Sequence, residues 1–161
     1  MDKNTQSVMF SSDSTEWSTP DNFYNMLNTK FGPLTLDVCA ATNNTKCAKY
    51  FTTRENGLEQ DWSGNICFMN PPYGRNSANK WVAKAYQESL KDNTIVVCLL
   101  PARTDNKWFN NYCMKAKEIY FVKGRLKFGD SKNSAPFPSM VVVFDGEEHN
   151  NSPKVFSLKT S

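Results

Sequence analysis

The sequence predicts an α/β fold, a mostly parallel sheet with helices on both faces in one domain, and three observations carry that prediction. Short strand-like runs recur at residues 34–39, 66–69, 94–100, 119–122 and 140–144, too brief for helices, and all but the first are nearly unbroken apolar stretches. Between several of them lie stretches with helical spacing of apolar residues, and strands alternating with helices favour parallel crossover connections. The 161 residues, 39% of them hydrophobic, suit one core of ordinary domain size.

Taken in order, residues 1–15 are polar and rich in Ser, Asp and Thr, so they read as a flexible lead-in to a domain spanning 16–145. Ser18 or Thr19 is placed to cap a first helix with Pro20 in its opening turn; Phe23, Met26, Leu27 and Phe31 then recur at helical spacing until Gly32-Pro33 stops them. Residues 34–39 read as a buried strand leading into a polar loop, and 48–52 as a second short strand. The run Ile66-Cys67-Phe68-Met69 must end at Asn70-Pro71-Pro72, because two prolines cannot continue a central hydrogen-bond ladder. Residues 80–90 form a helix, 94–100 a strand ended by Pro101, and about 106–116 another helix. Strands follow at 119–122 and 140–144, with 124–128 as a turn or strand between them. Residues 146–161 read as a frayed tail, with a short strand allowed at 155–158.

Composition excludes several chemistries. The five cysteines are scattered, with no C-x-x-C pair, and read as reduced, mostly buried thiols rather than zinc ligands or a redox pair. The single histidine, His149, lies in a polar stretch, which argues against histidine-dependent catalysis and against a metal site. No apolar run approaches the ~20 residues of a membrane helix, and the N-terminus lacks a signal-peptide plan, so the expected setting is cytoplasmic. The net charge of +3 is unevenly spread: residues 1–61 hold five Lys/Arg to eight Asp/Glu, and residues 62–161 fourteen to eight. A cationic small molecule suits the first part and a polyanion the second.

Asn70-Pro71-Pro72-Tyr73 carries the strongest chemical signal. An adenine amino nitrogen is a poor nucleophile, since its lone pair is delocalised into the ring. Two acceptors aimed at its N–H bonds would draw that pair toward tetrahedral character. The Asn70 side-chain oxygen and the Pro71 carbonyl can supply both, with the prolines holding the carbonyl rigid. Tyr73 would lie where an aromatic ring stacks on a base that has left its duplex. Such a mechanism needs no metal, histidine or covalent intermediate. A plain proline turn after a strand is the bland alternative.

At this point the chain resembles the small phage-type DNA N6-adenine methyltransferases. The likeness runs from Glu16-Trp17-Ser18-Thr19-Pro20 through Leu36-Asp37-Val38-Cys39-Ala40, Lys46-Cys47, Tyr50-Phe51-Thr52, Gly57-Leu58 and Asp61-Trp62 to the tetrapeptide. Beyond it come Leu100-Pro101-Ala102-Arg103-Thr104, Trp108-Phe109, Gly124-Arg125-Leu126-Lys127-Phe128 and Ala135-Pro136-Phe137-Pro138-Ser139-Met140. The resemblance implies a single-domain Rossmann-like methyltransferase fold, S-adenosyl-L-methionine as cofactor, DNA as partner, and the cytoplasm of a bacterial host as setting. It implies that Thr19-Pro20 lies over the methionine moiety and that Asp37-Val38-Cys39-Ala40 forms the first cofactor loop, where a carboxylate suits a ligand bearing ammonium and sulfonium. Asp61 resembles the acid that accepts from the cofactor's adenine amino group, and Asn70 borders the same site. Thr19-Pro20 as a helix cap, Asp37 as a strand-end acid and Asp61 as a turn residue remain the alternatives. The loop after Asp37 departs from the wider superfamily in lacking a glycine-rich sequence, and no clear acid ends a second strand to hold the ribose hydroxyls, for which Glu55 is a substitute candidate.

Residues 71–132 hold twelve Lys/Arg to five Asp/Glu, interleaved with aromatics, a pattern that suits a phosphate-tracking surface. Tyr73, Arg103, Arg125 and Lys127 are the favoured DNA contacts, with Phe137 either a second wall for the base or a core plug. There is little room for a separate recognition domain, so sequence choice falls to the loops 74–79 and 124–134 or to a second subunit in a homodimer. The rival functions are methylation of RNA adenine or of a protein glutamine amide on the same fold, and a non-catalytic DNA-binding module.

Overall fold

The computed structural model describes residues 18–41, 43–74, 76–129, 133–146 and 152–160. The lead-in at 1–15, Glu16 and Trp17, Arg75, residues 130–132 of the second loop, and His149 lie outside them.

Seven strands form one mixed sheet: β1 Leu36–Asp37, β2 Lys49–Tyr50, β3 Ile66–Met69, β4 Ile95–Pro101, β5 Glu118–Val122, β6 Ser139–Asp145 and β7 Lys154–Leu158, in the order β2-β1-β3-β4-β6-β5-β7. Strands β2, β1, β3 and β4 pair in parallel, and β6 runs antiparallel between β4 and β5. Every parallel strand therefore delivers its carboxyl end to the same edge. Among the described residues the helices are α1 Asp21–Phe31, α2 Ser77–Ser89 and α3 Lys107–Asn111.

The central strands β3, β4 and β6 are buried on both faces, and the two-residue period of a strand sorts their side chains. Val96, Cys98 and Leu100 of β4, with Cys67 and Met69 of β3, pack with Trp81, Val82 and Ala85 of α2 and Trp108 and Phe109 of α3. Their neighbours Val97, Leu99 and Phe68 turn the other way, into a core closed by Phe23, Tyr24 and Leu27 of α1. That explains why these strands read as continuous apolar runs. Four of the five cysteines are buried and all are free.

The structure alters several boundaries. The expected strands at 34–39 and 48–52 shrink to two residues each, because the chain beyond them turns into the loops that line the site. The expected helix at 106–116 breaks after Asn111 and resumes as a single 3-10 turn, Cys113–Lys115. The short strand allowed at 155–158 is β7, one residue longer, and it pairs in parallel with β5. Neither Ser18 nor Thr19 caps α1: Pro20 occupies the cap without a side-chain bond, and the Thr19 hydroxyl is engaged elsewhere.

One buried charge braces the back of the site. Glu88 of α2 is 3% exposed; its Oε1 accepts from the Trp62 backbone N–H at 2.6 Å, and its Oε2 lies 2.7 Å from Lys91 Nζ and 3.5 Å from Lys84 Nζ. Glu88→Ala would leave that amide and the Lys84 ammonium without this acceptor, and Lys91 with Asp61 alone. We expect a loss of about 3–5 kcal/mol, read as a lower urea midpoint with unchanged slope.

Candidate active site

Three loops at the carboxyl edge build the site. Strand β1 ends in Asp37, which is 3% exposed and whose carboxylate accepts from the backbone N–H groups of Cys39 (3.3 Å) and Lys46 (3.2 Å). Burial raises its pKa to about 6 against the pull of those two amides and of the Lys46 charge. The acid is thus a weakly hydrated carboxylate that gains from a cationic ligand. Beside it, the Val38 carbonyl sits where a Cβ on Gly57 would come within 2.1 Å, so only glycine permits the 3-10 turn Gly57–Glu59 to lie against this loop. Trp62 holds that turn from below, donating its indole N–H to the Gly57 carbonyl at 2.9 Å.

Strand β3 ends at Met69, and Asn70 follows at once. Its Nδ2 donates to the Thr19 hydroxyl at 2.9 Å, across 51 residues of chain. That bond commits the nitrogen end of the amide to Thr19 and so sets the direction of the acceptor oxygen. Pro71 is buried and Pro72 half-buried, which holds the intervening carbonyl in a rigid stretch. Tyr73 donates its hydroxyl to the Leu99 carbonyl at 3.0 Å and packs edge-on against Phe137 and Phe128, with centroids at 5.4 and 6.2 Å. Its ring is therefore locked in one orientation, and burial keeps the hydroxyl protonated.

The tetrapeptide separates two cavities. On one side, Thr19, Asp37, Cys39 and Ala40 enclose about 230 Å³ with Asn70, Pro71 and Pro72. A chamber of about 370 Å³ adjoins it, sharing Ser18, Thr19, Ala41, Asn44 and Lys46, and is lined also by Pro20. Together they reach the size range of small-molecule sites. On the other side, Tyr73 and Gly74 border a more basic cavity of about 650 Å³ with Asn79, Arg103, Lys107 and Trp108.

Several expected residues fall outside these walls. Val38 is wholly buried and faces the core, since its neighbours Asp37 and Cys39 take the loop's ligand side. Asp61 lies on the surface, bound to Lys91 Nζ at 2.9 Å and to the Ser63 N–H and hydroxyl. Those bonds hold its carboxyl well below the usual range, and it does not border the Asp37 cavity. It is a turn residue tied into the Glu88 cluster. Glu55 is likewise turned away: its Oε1 accepts from both the N–H and the hydroxyl of Thr52, and Thr52 rather than Glu55 lines the cavity.

Phe137 is 7% exposed and lies behind Tyr73, with the Arg103 guanidinium 5.9 Å from its ring centroid. It is a core plug, driven inward between the exposed Pro136 and Pro138. Arg103 does border the second cavity. Arg125 and Lys127 are exposed but do not border it; Arg125 Nη1 ties its loop by donating to the Ala135 carbonyl at 3.1 Å. Lys46 and Thr52 in the first cavity carried the resemblance without a role, Asn79 in the second ends the loop 74–79, and Lys107 beside it was not singled out in the sequence. Lys46 stands nine residues from Asp37, a spacing that signals nothing until the loop folds back. Burial raises the Cys39 thiol to about 12, so it lines the cavity as a neutral group. Among the described residues no His/Cys/Asp/Glu cluster could hold a metal, and no helix is long and apolar enough to cross a membrane.

Comparison with known proteins identifies the family. The chain is 34% identical over 148 residues to the DNA N-6-adenine-methyltransferase of Haemophilus phage HP1, covering 88% of this chain and 84% of that one. It is 32% identical over 111 residues to the DNA N-6-adenine-methyltransferase of Escherichia phage T1, covering 68% of this chain and 45% of that one. The profile of the family described as DNA N-6-adenine-methyltransferase (Dam) matches residues 6–158. With a buried acid at the end of its first strand and an Asn-Pro-Pro-Tyr turn between two cavities, the chain belongs to the DNA N-6-adenine-methyltransferase family.

Proposed function

We propose that the chain methylates the N6 amino group of adenine in DNA, taking S-adenosyl-L-methionine in the cavity beside Asp37 and the extruded base in the cavity beside Tyr73. The observation that carries this reading is the position of Asn70-Pro71-Pro72-Tyr73 at the meeting of the two cavities, with Asn70, Pro71 and Pro72 lining the first and Tyr73 the second. A reaction between two ligands needs a group that reaches both, and a wall between them meets that need.

The donor chamber fits on its chemistry. A buried carboxylate with a raised pKa favours a cation, and the donor is cationic at its sulfonium and ammonium. When bound, the donor supplies an electrophilic methyl carbon for direct displacement by the amino nitrogen. The protein does the rest with hydrogen bonds. Asn70 Oδ1 and the Pro71 carbonyl accept from the two N–H bonds of the base and localise the nitrogen lone pair. Thr19 holds the amide in register through Nδ2. Tyr73, anchored by Leu99 and two phenylalanines, offers a fixed ring for stacking, and the surplus proton leaves to water. Arg103 and Lys107 give the second cavity the positive charge a DNA strand requires, with Arg125 and Lys127 as outlying phosphate contacts.

Incubation with methyl-labelled donor and, separately, DNA, RNA and protein tests the assignment. Label should enter DNA as N6-methyladenine; label in RNA or protein alone would reassign the acceptor, and donor binding without turnover on any adenine-containing DNA would leave a non-catalytic DNA-binding module.

A further inference from the structure

We infer that Lys46 takes the carboxylate of the donor's amino-acid end, displacing Asp21 from its ammonium as the ligand enters. The inference rests on the reading of the Asp37 cavity as the donor site.

Among the described residues lining that cavity, Asp37 and Lys46 are the two charged side chains, one of each sign. An amino-acid end is itself a zwitterion, so the pair is complementary to it: carboxylate for ammonium, ammonium for carboxylate. The same loop fixes their relation, because the Lys46 backbone N–H is bonded to Asp37 Oδ2 at 3.2 Å. Lys46 also lines the adjoining chamber with Thr19, Pro20 and Asp21, so the residue stands where the two meet.

The partner that Lys46 holds is poorly matched to its position. The Lys46 side chain is 9% exposed, whereas Asp21, whose Oδ1 lies 2.7 Å from Nζ, is 91% exposed. A lysine drawn out of water is thus balanced by an acid still bathed in it, and that attraction is screened. A ligand carboxylate inside the cavity would make a charge-assisted bond in a drier setting, so the exchange of partners favours the ligand.

The test uses two neutral thioethers of one nucleoside: S-adenosylhomocysteine, which keeps the amino-acid end, and 5′-methylthioadenosine, which lacks it. Each is titrated calorimetrically into the wild-type protein and into Lys46→Met, Lys46→Arg and Asp21→Asn. Lys46→Met should weaken S-adenosylhomocysteine by about ten- to a hundredfold and 5′-methylthioadenosine by less than about twofold. Lys46→Arg should recover most of the loss, and Asp21→Asn should bind S-adenosylhomocysteine at least as tightly as the wild type. Equal losses for both ligands, or none for either, would overturn the assignment, and weaker binding by Asp21→Asn would overturn the exchange of partners. If Lys46→Met does not fold, Lys46→Gln gives the same contrast. A wild-type protein that binds neither ligand would instead remove the donor-site reading itself.

Discussion

Asn70→Ala is expected to lower kcat by about a hundred- to a thousandfold, the usual cost of deleting one preorganised group that acts on the transition state. Donor affinity should stay within about threefold, because Asp37 and Lys46 remain in place. The substitution also removes the bond to Thr19, worth about 1 kcal/mol, so part of the effect could come from a loosened approach to α1. Thr19→Val separates the two contributions. It deletes the same bond while keeping the acceptor oxygen, and should cost only about fivefold in kcat. Single-turnover rates with saturating donor and DNA measure both variants. Equal losses in the two would mean that Asn70 acts through position alone, and an Asn70→Ala enzyme at full speed would end the mechanism.

Asp37→Asn is expected to weaken S-adenosylmethionine binding by about ten- to a hundredfold, the scale of one lost charge-assisted contact. The pH dependence makes this more specific than a simple loss. Asp37 titrates near 6 in the folded protein because burial disfavours its charge. A folded pKa above the unfolded value means that the native state holds this proton more tightly. The stability contributed by the group is therefore fully present below about pH 4 and is lost as pH rises through about 6, on the order of 3 kcal/mol in all. Donor binding runs the opposite way. Below about pH 6 the carboxylate neutralises, and affinity should fall by up to tenfold per pH unit. Acidifying from pH 7 to 5 should thus raise this group's share of the unliganded protein's stability while weakening the donor. Calorimetric titrations across that range check the affinity, and Asp37→Asn should flatten the profile near pH 6. An unchanged slope in the variant would assign the pH dependence to another group.

The strands were legible because alternation and burial are local properties of the chain. Residues 94–100 and 140–144 differ from observed β4 and β6 by one residue at either end, since sheets buried on both faces write themselves as unbroken apolar runs. The tetrapeptide was legible for a related reason. Asn-Pro-Pro must end a strand wherever it occurs, and in a parallel sheet that end is the ligand edge. Polar partnerships were less legible. Asp61 and Asp37 both read as ligand-facing acids, yet one is exposed and tied to Lys91 while the other is buried and bound by backbone amides.

From the chain alone came the α/β class, the strand that stops before Asn70, and the place of the Asn-Pro-Pro-Tyr turn at the strand's carboxyl end. Each depends on residues within a few positions of one another. Only the tertiary structure decided that Thr19 orients Asn70 instead of capping α1, that Lys46 rather than Asp61 faces the Asp37 cavity, and that Phe137 backs Tyr73 from the core. Those outcomes depend on groups tens of residues apart, and a buried polar side chain takes whichever partner the packed fold brings within hydrogen-bond reach.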